Sequence, residues 1–450
     1  MTQSLEGIRQ HGTHGTLTPQ AGPQDASAER LALDAIIVPA SRPAPYLDHA
    51  VTLARTAGCW LVVLCSKRQH AAEVRKFLAA RPYHKAIVIH LPPGYSHELL
   101  RFPELLSIKN ELPKACSFFT TDLSMKRNIG LILARMLEWD RIFFLDDDIR
   151  DIAYPNLQTT VDMLESYPAA GLWVTNFPDN SIVCHANRMT KGSQDVFVSG
   201  AALAVDCAAD IGFFPDIYNE DWLFFYDYVS KKQLANSGLK ATQLRYNPFA
   251  SVRRAAWQEF GDVIAEGLYT LLHAGLELEQ ATREYWTTFL EARRDFLEGI
   301  SSRLSNADPG IREEMLLSLQ WAEKCSLTIK PDLCERFVQA WRRDLATWKR
   351  RAADIPVVPT IDAALRELRL VSAQSAKGTG KMLLCPDDET LPDVQAGPVP
   401  IPWSDTMKAM SERISQAGLD QQPEVDVPLS TPSLERRWLR PKALATLRRR

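Results

Sequence analysis

The chain has 450 residues, of which 46% are hydrophobic and 24% charged, with a formal net charge of -3. That length allows a large core and more than one domain. The near balance of charge excludes a mainly electrostatic role on nucleic acid or a membrane surface. The eight cysteines include no Cys-x-x-Cys pair, so neither a zinc site nor a disulfide framework is expected and free thiols are. Residues 1–20 lack the apolar core of a signal peptide, and no uncharged apolar stretch reaches the length of a membrane span. The expectation is a cytoplasmic protein.

Residues 1–30 are rich in Gly, Thr, Gln, His and Pro without periodicity, which predicts a disordered lead with His11 and His14 in a mobile tail. From Leu31 the pattern changes. Residues 33–40 predict a buried strand, followed by Ser41, Arg42 and Pro43. Leu47, Ala50, Val51 and Ala54 have helical spacing. Residues 59–65 predict a second strand, 69–80 a second helix and 85–90 a third strand. This alternation is the βαβ signature of a parallel sheet. After an irregular stretch at 94–113, residues 122–128 lead into a helix over 129–139.

Ile142, Phe143, Phe144 and Leu145 predict a strand buried on both faces, and it runs directly into Asp146, Asp147 and Asp148. Adjacent carboxylates at a strand end repel one another and need a cation or open water. In an extended chain Asp146 and Asp148 share a side and Asp147 takes the other. Such a pair suits a hard divalent cation, Mn2+ or Mg2+, with room for ligand phosphates. Ligands of open α/β sheets gather at the carboxyl ends of strands. A solvated acidic turn fits the same residues.

Beyond the aspartates, 156–167 predicts a helix, and 171–176, 181–185, 196–199 and 201–206 predict short strands. Glu220 and Asp221 then fall among Phe213, Phe214, Tyr218, Trp222, Phe224 and Phe225. Clustered aromatics are expected in the core. A carboxyl partly desolvated beside them has a raised pKa and suits a general base; a helix cap or an ion pair fits equally. Residues 251–370 have helical periodicity, with Phe260, Val263, Ile264, Gly267, Leu268, Leu271 and Leu272 on one face. Arg293, Arg294 and Asp295 are expected on a solvated face. From 372 onward Pro, Asp, Gln and Ser predict a poorly ordered extension, with a helical patch at 403–417 and a basic end from Arg436. The expected domains are the lead 1–30, an α/β domain 31–250, a helical domain 251–371 and the extension 372–450.

Taken in order, Ser41-Arg42-Pro43, Arg127-Asn128-Ile129-Gly130, Asp146-Asp147-Asp148, the 198–202 stretch around Gly200, and Glu220-Asp221 resemble the GT-A nucleotide-sugar glycosyltransferases. The inverting family-two enzymes are the nearest in pattern, over about residues 33–226. The resemblance implies a Rossmann-like, mostly parallel α/β sheet, followed here by an α-helical region. It implies transfer of a sugar from a nucleotide-diphosphate donor to an acceptor hydroxyl, with Mn2+ or Mg2+ as cofactor. It assigns donor contacts to Ser41, Arg42, Pro43, Arg127, Asn128, Asp146, Asp147 and Gly200. Asp221 becomes the base with Glu220 in support, and Asp146 and Asp148 the metal ligands. Relatives add a later histidine to the metal, for which His185, at the end of a predicted strand, is better placed than His273. Many also carry an acid after the second strand, where this chain has Cys65, Ser66 and Lys67.

The expected partners are the nucleotide-sugar donor and a sugar, small-alcohol or lipid-linked acceptor, with no nucleic acid. The helical region is a candidate surface for a homo-oligomer. The rivals are a retaining GT-A enzyme, a nucleotidyltransferase and a non-catalytic GT-A-like binding scaffold. A P-loop is excluded, since Gly380-Lys381 has Ser375 in place of the first glycine and Met382 in place of the hydroxyl.

Overall fold

The computed structural model describes residues 17–18, 30–66, 68–81, 83–112, 116, 121–175, 181–192 and 198–372. His11, His14 and most of the lead, Lys67, and the whole extension from 373 with its helical patch and basic end lie outside the described residues. The described part from 30 to 372 falls in one compact unit.

The first half of the chain builds the parallel part of the sheet. β1 (Ala35–Ala40), β2 (Trp60–Cys65), β3 (Ala86–His90) and β4 (Arg141–Leu145) alternate with α1 (Asp48–Ala57), α2 (Arg68–Ala79), α3 (Pro103–Lys109) and α4 (Leu123–Met136). β1 pairs in parallel with both β2 and β4, and β2 with β3. These strands are apolar along their length because both faces are covered. Ile37, Phe144 and Leu203 pack on one face with α4. Ile36, Val63, Phe143 and Leu145 pack on the other with α1 and α5 (Tyr154–Asp162). α4 lies hard against the sheet: a Cβ on Gly130 would stand 3.0 Å from Ile37 Cγ2 and from Phe144 Cε1. That close approach fixes the height of Arg127, almost one turn earlier.

The second half departs from the expected mostly parallel sheet. β5 (Ile149–Arg150), β6 (Ala169–Thr175), β7 (Val198–Asp206) and β8 (Leu234–Gln243) are separated by α5, α6 (Ile182–Met189) and α7 (Glu220–Ser230). β7 inserts antiparallel between β4 and β6. β6 and β8 are parallel, whereas β5 on β8 and the late β9 (Val371–Ser372) on β3 are antiparallel. The sheet is therefore mixed, in the order β5-β8-β6-β7-β4-β1-β2-β3-β9. The segment 181–185, expected as a strand, opens α6 instead: the Ser181 hydroxyl accepts the Cys184 N–H and caps the helix.

From Arg254 the chain is helical, through α8 (Arg254–His273), α9 (Arg283–Ser302), α10 (Arg312–Ser326), α11 (Pro331–Ala353) and α12 (Ile361–Glu367). Tyr269, Trp286 and Trp341 of these helices share one apolar cluster with Ile37 and Phe144 of the sheet. Among the described residues no helix is long and apolar enough to cross a membrane.

Two expectations about polar groups fail here. Cys116 and Cys325 form a disulfide across a separation of 209 residues, while Cys59, Cys65, Cys184, Cys207 and Cys334 are free and buried. Arg293, expected on a solvated face, is fully buried. It bonds Glu259 at 2.9 and 2.7 Å, Asp262 at 3.0 Å and Glu266 at 2.8 Å. Burial pushes the Glu266 carboxyl up to about 8; Arg293 pulls it back, and Asp262 and Glu259 push it further. Glu259 and Asp262 are raised by burial in the same way.

Arg293→Met is expected to cost about 3–5 kcal/mol of unfolding free energy at a pH of about 8, because it strands three buried carboxylates. An acid whose folded pKa is raised favours the fold below its unfolded pKa, and that contribution is lost as pH rises through the folded value. The deficit should therefore shrink toward a pH of about 5, where the orphaned acids take up protons. Urea titrations at the two pH values measure it, and equal deficits at both would refute the account.

Candidate active site

β4 delivers its carboxylates at the carboxyl end of the sheet, but the chain does not stay extended there. The Ile149 N–H donates to Asp146 O at 3.1 Å and closes a tight turn. Alternation thus holds for Asp146 and Asp147 and ends before Asp148. Asp146 faces α4, whereas Asp147 and Asp148 both meet Arg42. The expected Asp146–Asp148 pair on one side is corrected accordingly.

The turn after β1 wraps around Asp147. Its Oδ2 accepts the Ser41 and Arg42 N–H groups at 2.6 and 2.7 Å, and its Oδ1 accepts Arg42 Nη1 at 2.6 Å. Arg42 Nη2 stands 2.7 Å from Asp148 Oδ2, which also accepts Gln243 Nε2 at 3.1 Å. Pro43 follows and opens the helical turn Ala44–Leu47. Gln243 was not anticipated, and a lone glutamine at a strand end gives no sequence signal.

Arg127 joins the two acidic segments. Its side chain is 3% exposed; Nη2 bonds both Asp146 carboxylate oxygens at 3.1 Å, and Nη1 bonds Glu220 Oε1. Gly200 lies against the guanidinium, where a Cβ would stand 2.7 Å from Nη1. The Gly200 N–H donates to Asp221 Oδ2 at 2.7 Å, and the Trp222 N–H to Asp221 Oδ1 at 2.9 Å. Burial works against the Arg127 charge, yet Asp146, Glu220 and Asp221 around it outweigh that and raise its pKa. Burial pushes the Glu220 carboxyl up to about 8 against the pull of Arg127, with Asp221 and Asp146 adding to the rise.

Two other expected residues, Asn128 and His185, lie elsewhere, and Lys126 beside Arg127 has a structural place. The Asn128 amide donates to Phe214 O and accepts the Phe214 N–H, both at 2.8 Å, so it braces the loop before α7. Lys126 is buried, bonded to Ala40 O and paired with Asp122, each at 3.0 Å, which ties α4 to the end of β1. His185 sits within α6 and does not join the aspartates. Arg188 Nη2 donates to its Nδ1 at 2.8 Å, and Tyr246 Oη lies 3.2 Å from its Nε2. Burial, with Arg188 and Arg254 nearby, lowers its pKa well below the ordinary histidine value.

Among the described residues no three His, Cys, Asp or Glu side chains are placed to cage a metal ion. A cation that arrives with a diphosphate needs only one or two protein carboxylates, however, with phosphate oxygens and water completing its shell. Asp148 is a hard-oxygen donor of that kind on the Arg42 side of the turn, whereas both oxygens of Asp146 are bonded to Arg127. A cavity of about 340 Å³ lies at the other end of the strands, beside Asp206, which is paired with Arg141 at the start of β4.

No family profile and no curated protein matches the chain. Among solved structures, a mannosyltransferase from Pyrobaculum calidifontis, in complex with GDP-Man and Mn2+, is similar at a TM-score of 0.34. The two share 13% sequence identity, over 75% of this chain and 89% of that one. A likeness at that score decides neither the fold nor the activity of this chain.

Gly200→Ala tests the junction at Arg127. The added methyl presses on a guanidinium held by its bonds to Asp146 and Glu220, so a loss of about 1–3 kcal/mol is expected from overpacking. A melting temperature equal to wild type would show that Arg127 is not held there.

Proposed function

We propose that the chain transfers a sugar from a nucleotide-diphosphate donor to an acceptor hydroxyl, as the resemblance to GT-A glycosyltransferases implies. The observation that supports this is the Arg127 bridge: Asp146, expected on the donor side, and Glu220, expected beside the base, share one buried cation. On this reading the donor lies along the edge formed by Ser41, Arg42, Pro43 and Gly200. Asp147, already holding two N–H groups and a guanidinium, shapes that edge from beneath. Asp148 would hold Mn2+ or Mg2+, with phosphate oxygens and water completing the shell, and the cation would stabilise the charge of the departing diphosphate, while Asp146 stays with Arg127.

Asp221 is the base. It is the less buried member of the acidic pair, whereas Glu220 is 6% exposed and bonded to Arg127. The N–H groups of Gly200 and Trp222 aim the Asp221 carboxylate. Direct attack by an acceptor hydroxyl that it deprotonates inverts the anomeric carbon. Glu220 keeps Arg127 beneath the site and thereby supports the base.

The hold of Arg42 on both Asp147 and Asp148 favours a second reading, a binding scaffold without catalysis, because these carboxylates already have a cation. Calorimetric titration with UDP-, GDP- and dTDP-sugars separates the two. Transfer predicts donor binding in Mn2+ that EDTA abolishes and that Asp148→Ala loses; metal-independent binding, or none to any donor, favours the scaffold. Asp221→Asn is expected to bind donor normally and to transfer roughly 10²–10⁴-fold more slowly. Full turnover by that variant would move the base to another residue.

A further inference from the structure

The turn carrying Glu220 and Asp221 is held from its far side by α8, through groups that the proposed reaction does not use. Asn219 has φ 62° and ψ 37°, a left-handed conformation that asparagine tolerates better than most residues. Its Nδ2 donates to Asp262 Oδ1 at 2.9 Å. The other oxygen of Asp262 accepts Arg293 Nη2 at 3.0 Å, and Arg293 is fixed in turn by Glu259 and Glu266. Asp262 and Arg293 are 1% and 0% exposed.

Two further contacts bracket the same turn. At Gly261 a Cβ would stand 2.3 Å from Tyr218 O and 2.7 Å from Tyr218 Cβ, so the backbone before Asn219 rests directly on α8. Beyond Asp221, Trp222 O accepts the Tyr269 hydroxyl at 2.8 Å, and the two rings meet edge to face at 5.2 Å. Asp262 and Tyr269 are two turns apart on one helix face. α8 therefore grips residues 218, 219 and 222, while Arg127 and Gly200 hold Glu220 and Asp221 from the sheet side.

We infer that Arg293, Asp262 and Asn219 form a positioning relay: the charged core between α8 and α9 fixes the left-handed residue that aims Glu220 and Asp221 at the sheet edge. Apolar packing would hold α8 against α9 at least as well as buried ions do. What the ions add is direction, since a hydrogen bond fixes the orientation of Asn219 and an apolar contact does not. Asn219 and Asp262 are positioning residues and do not touch substrate. The kinetic part of this inference rests on the glycosyl-transfer reading; the conformational part does not.

Asn219→Gly keeps the left-handed backbone accessible and removes only the tether. Transfer kcat is expected to fall roughly 10–100-fold, as a small misplacement of reacting groups can do, with donor KM within about twofold of wild type. Hydrogen exchange at the amides of 220–224 should quicken about tenfold, with α8 and α9 unchanged. Asp262→Asn keeps an oxygen for Asn219 but loses the one that accepts Arg293 Nη2, so exchange at 220–224 should quicken part-way toward that of Asn219→Gly. Unchanged exchange there in Asn219→Gly, or faster exchange spread over the whole chain, would overturn the relay. If the wild-type protein transfers no sugar yet Asn219→Gly still frees 220–224 selectively, the functional reading fails and the relay stands.

Discussion

The guanidinium of Arg127 is the interaction on which the edge of the sheet depends. Removing an ion from water costs several kcal/mol even after relaxation, whereas one ion pair at about 4 Å returns roughly 4 kcal/mol at an effective dielectric of 20. A single partner would barely offset the cost of burying an arginine at this depth. Asp146 and Glu220 bond it together, and Asp221 adds its field, which tips the balance. Two glycines follow from that requirement. Gly130 lets α4 lie low enough to bring Arg127 beneath the strand ends, and Gly200 leaves space for the guanidinium itself.

The same physics recurs around Arg293, where three carboxylates again surround one arginine. The α7 turn is thus suspended between two buried cations, each outnumbered by its acids. In both clusters the surplus of carboxylates raises the acids: Glu220 and Glu266 are each pushed up to about 8 by burial and by neighbouring acids, against the arginine. A turn held by hydrogen-bonded charges on both sides has little freedom to rotate, which is the condition a positioned carboxylate needs.

Much of the first half of the fold was legible because β1 to β4 are covered on both faces and appear as apolar runs between helical segments. The acidic segments stood out in the sequence as well, and in the structure Arg127 bonds Asp146 of one and Glu220 of the other. Strand direction was not legible: nothing in the composition of β7 reveals that it runs against β4. The start of α6 was misread because Ile182 and Val183 suit a strand, and a short apolar segment does not separate the two periods. The direction of Asp148 was lost to a turn that a run of three identical residues could not signal. Arg293 looked solvated because it lies beside Arg294 and Asp295; its partners are more than twenty-five residues away on α8. The Cys116–Cys325 bond joins positions 209 apart, a pairing that spacing alone does not reveal.

The two arginines at the sheet edge are not equivalent, and the difference bears on how a donor would enter on the proposed reading. The Arg127 side chain is 3% exposed and pinned between acids from two elements, so moving it would strand buried charge. The Arg42 side chain is 37% exposed while its partners Asp147 and Asp148 are buried, so Arg42 itself can move into water but the carboxylates it leaves need another cation. On that reading a diphosphate-borne cation at Asp148 would replace the charge that Arg42 supplies there, and the freed guanidinium would suit bidentate contact with phosphate oxygens. Arg127 is then the fixed half of the site and Arg42 the exchangeable half. The ion pairs among the aspartates are in that case the resting arrangement of a donor site, in which Arg42 occupies the place that the cation takes over.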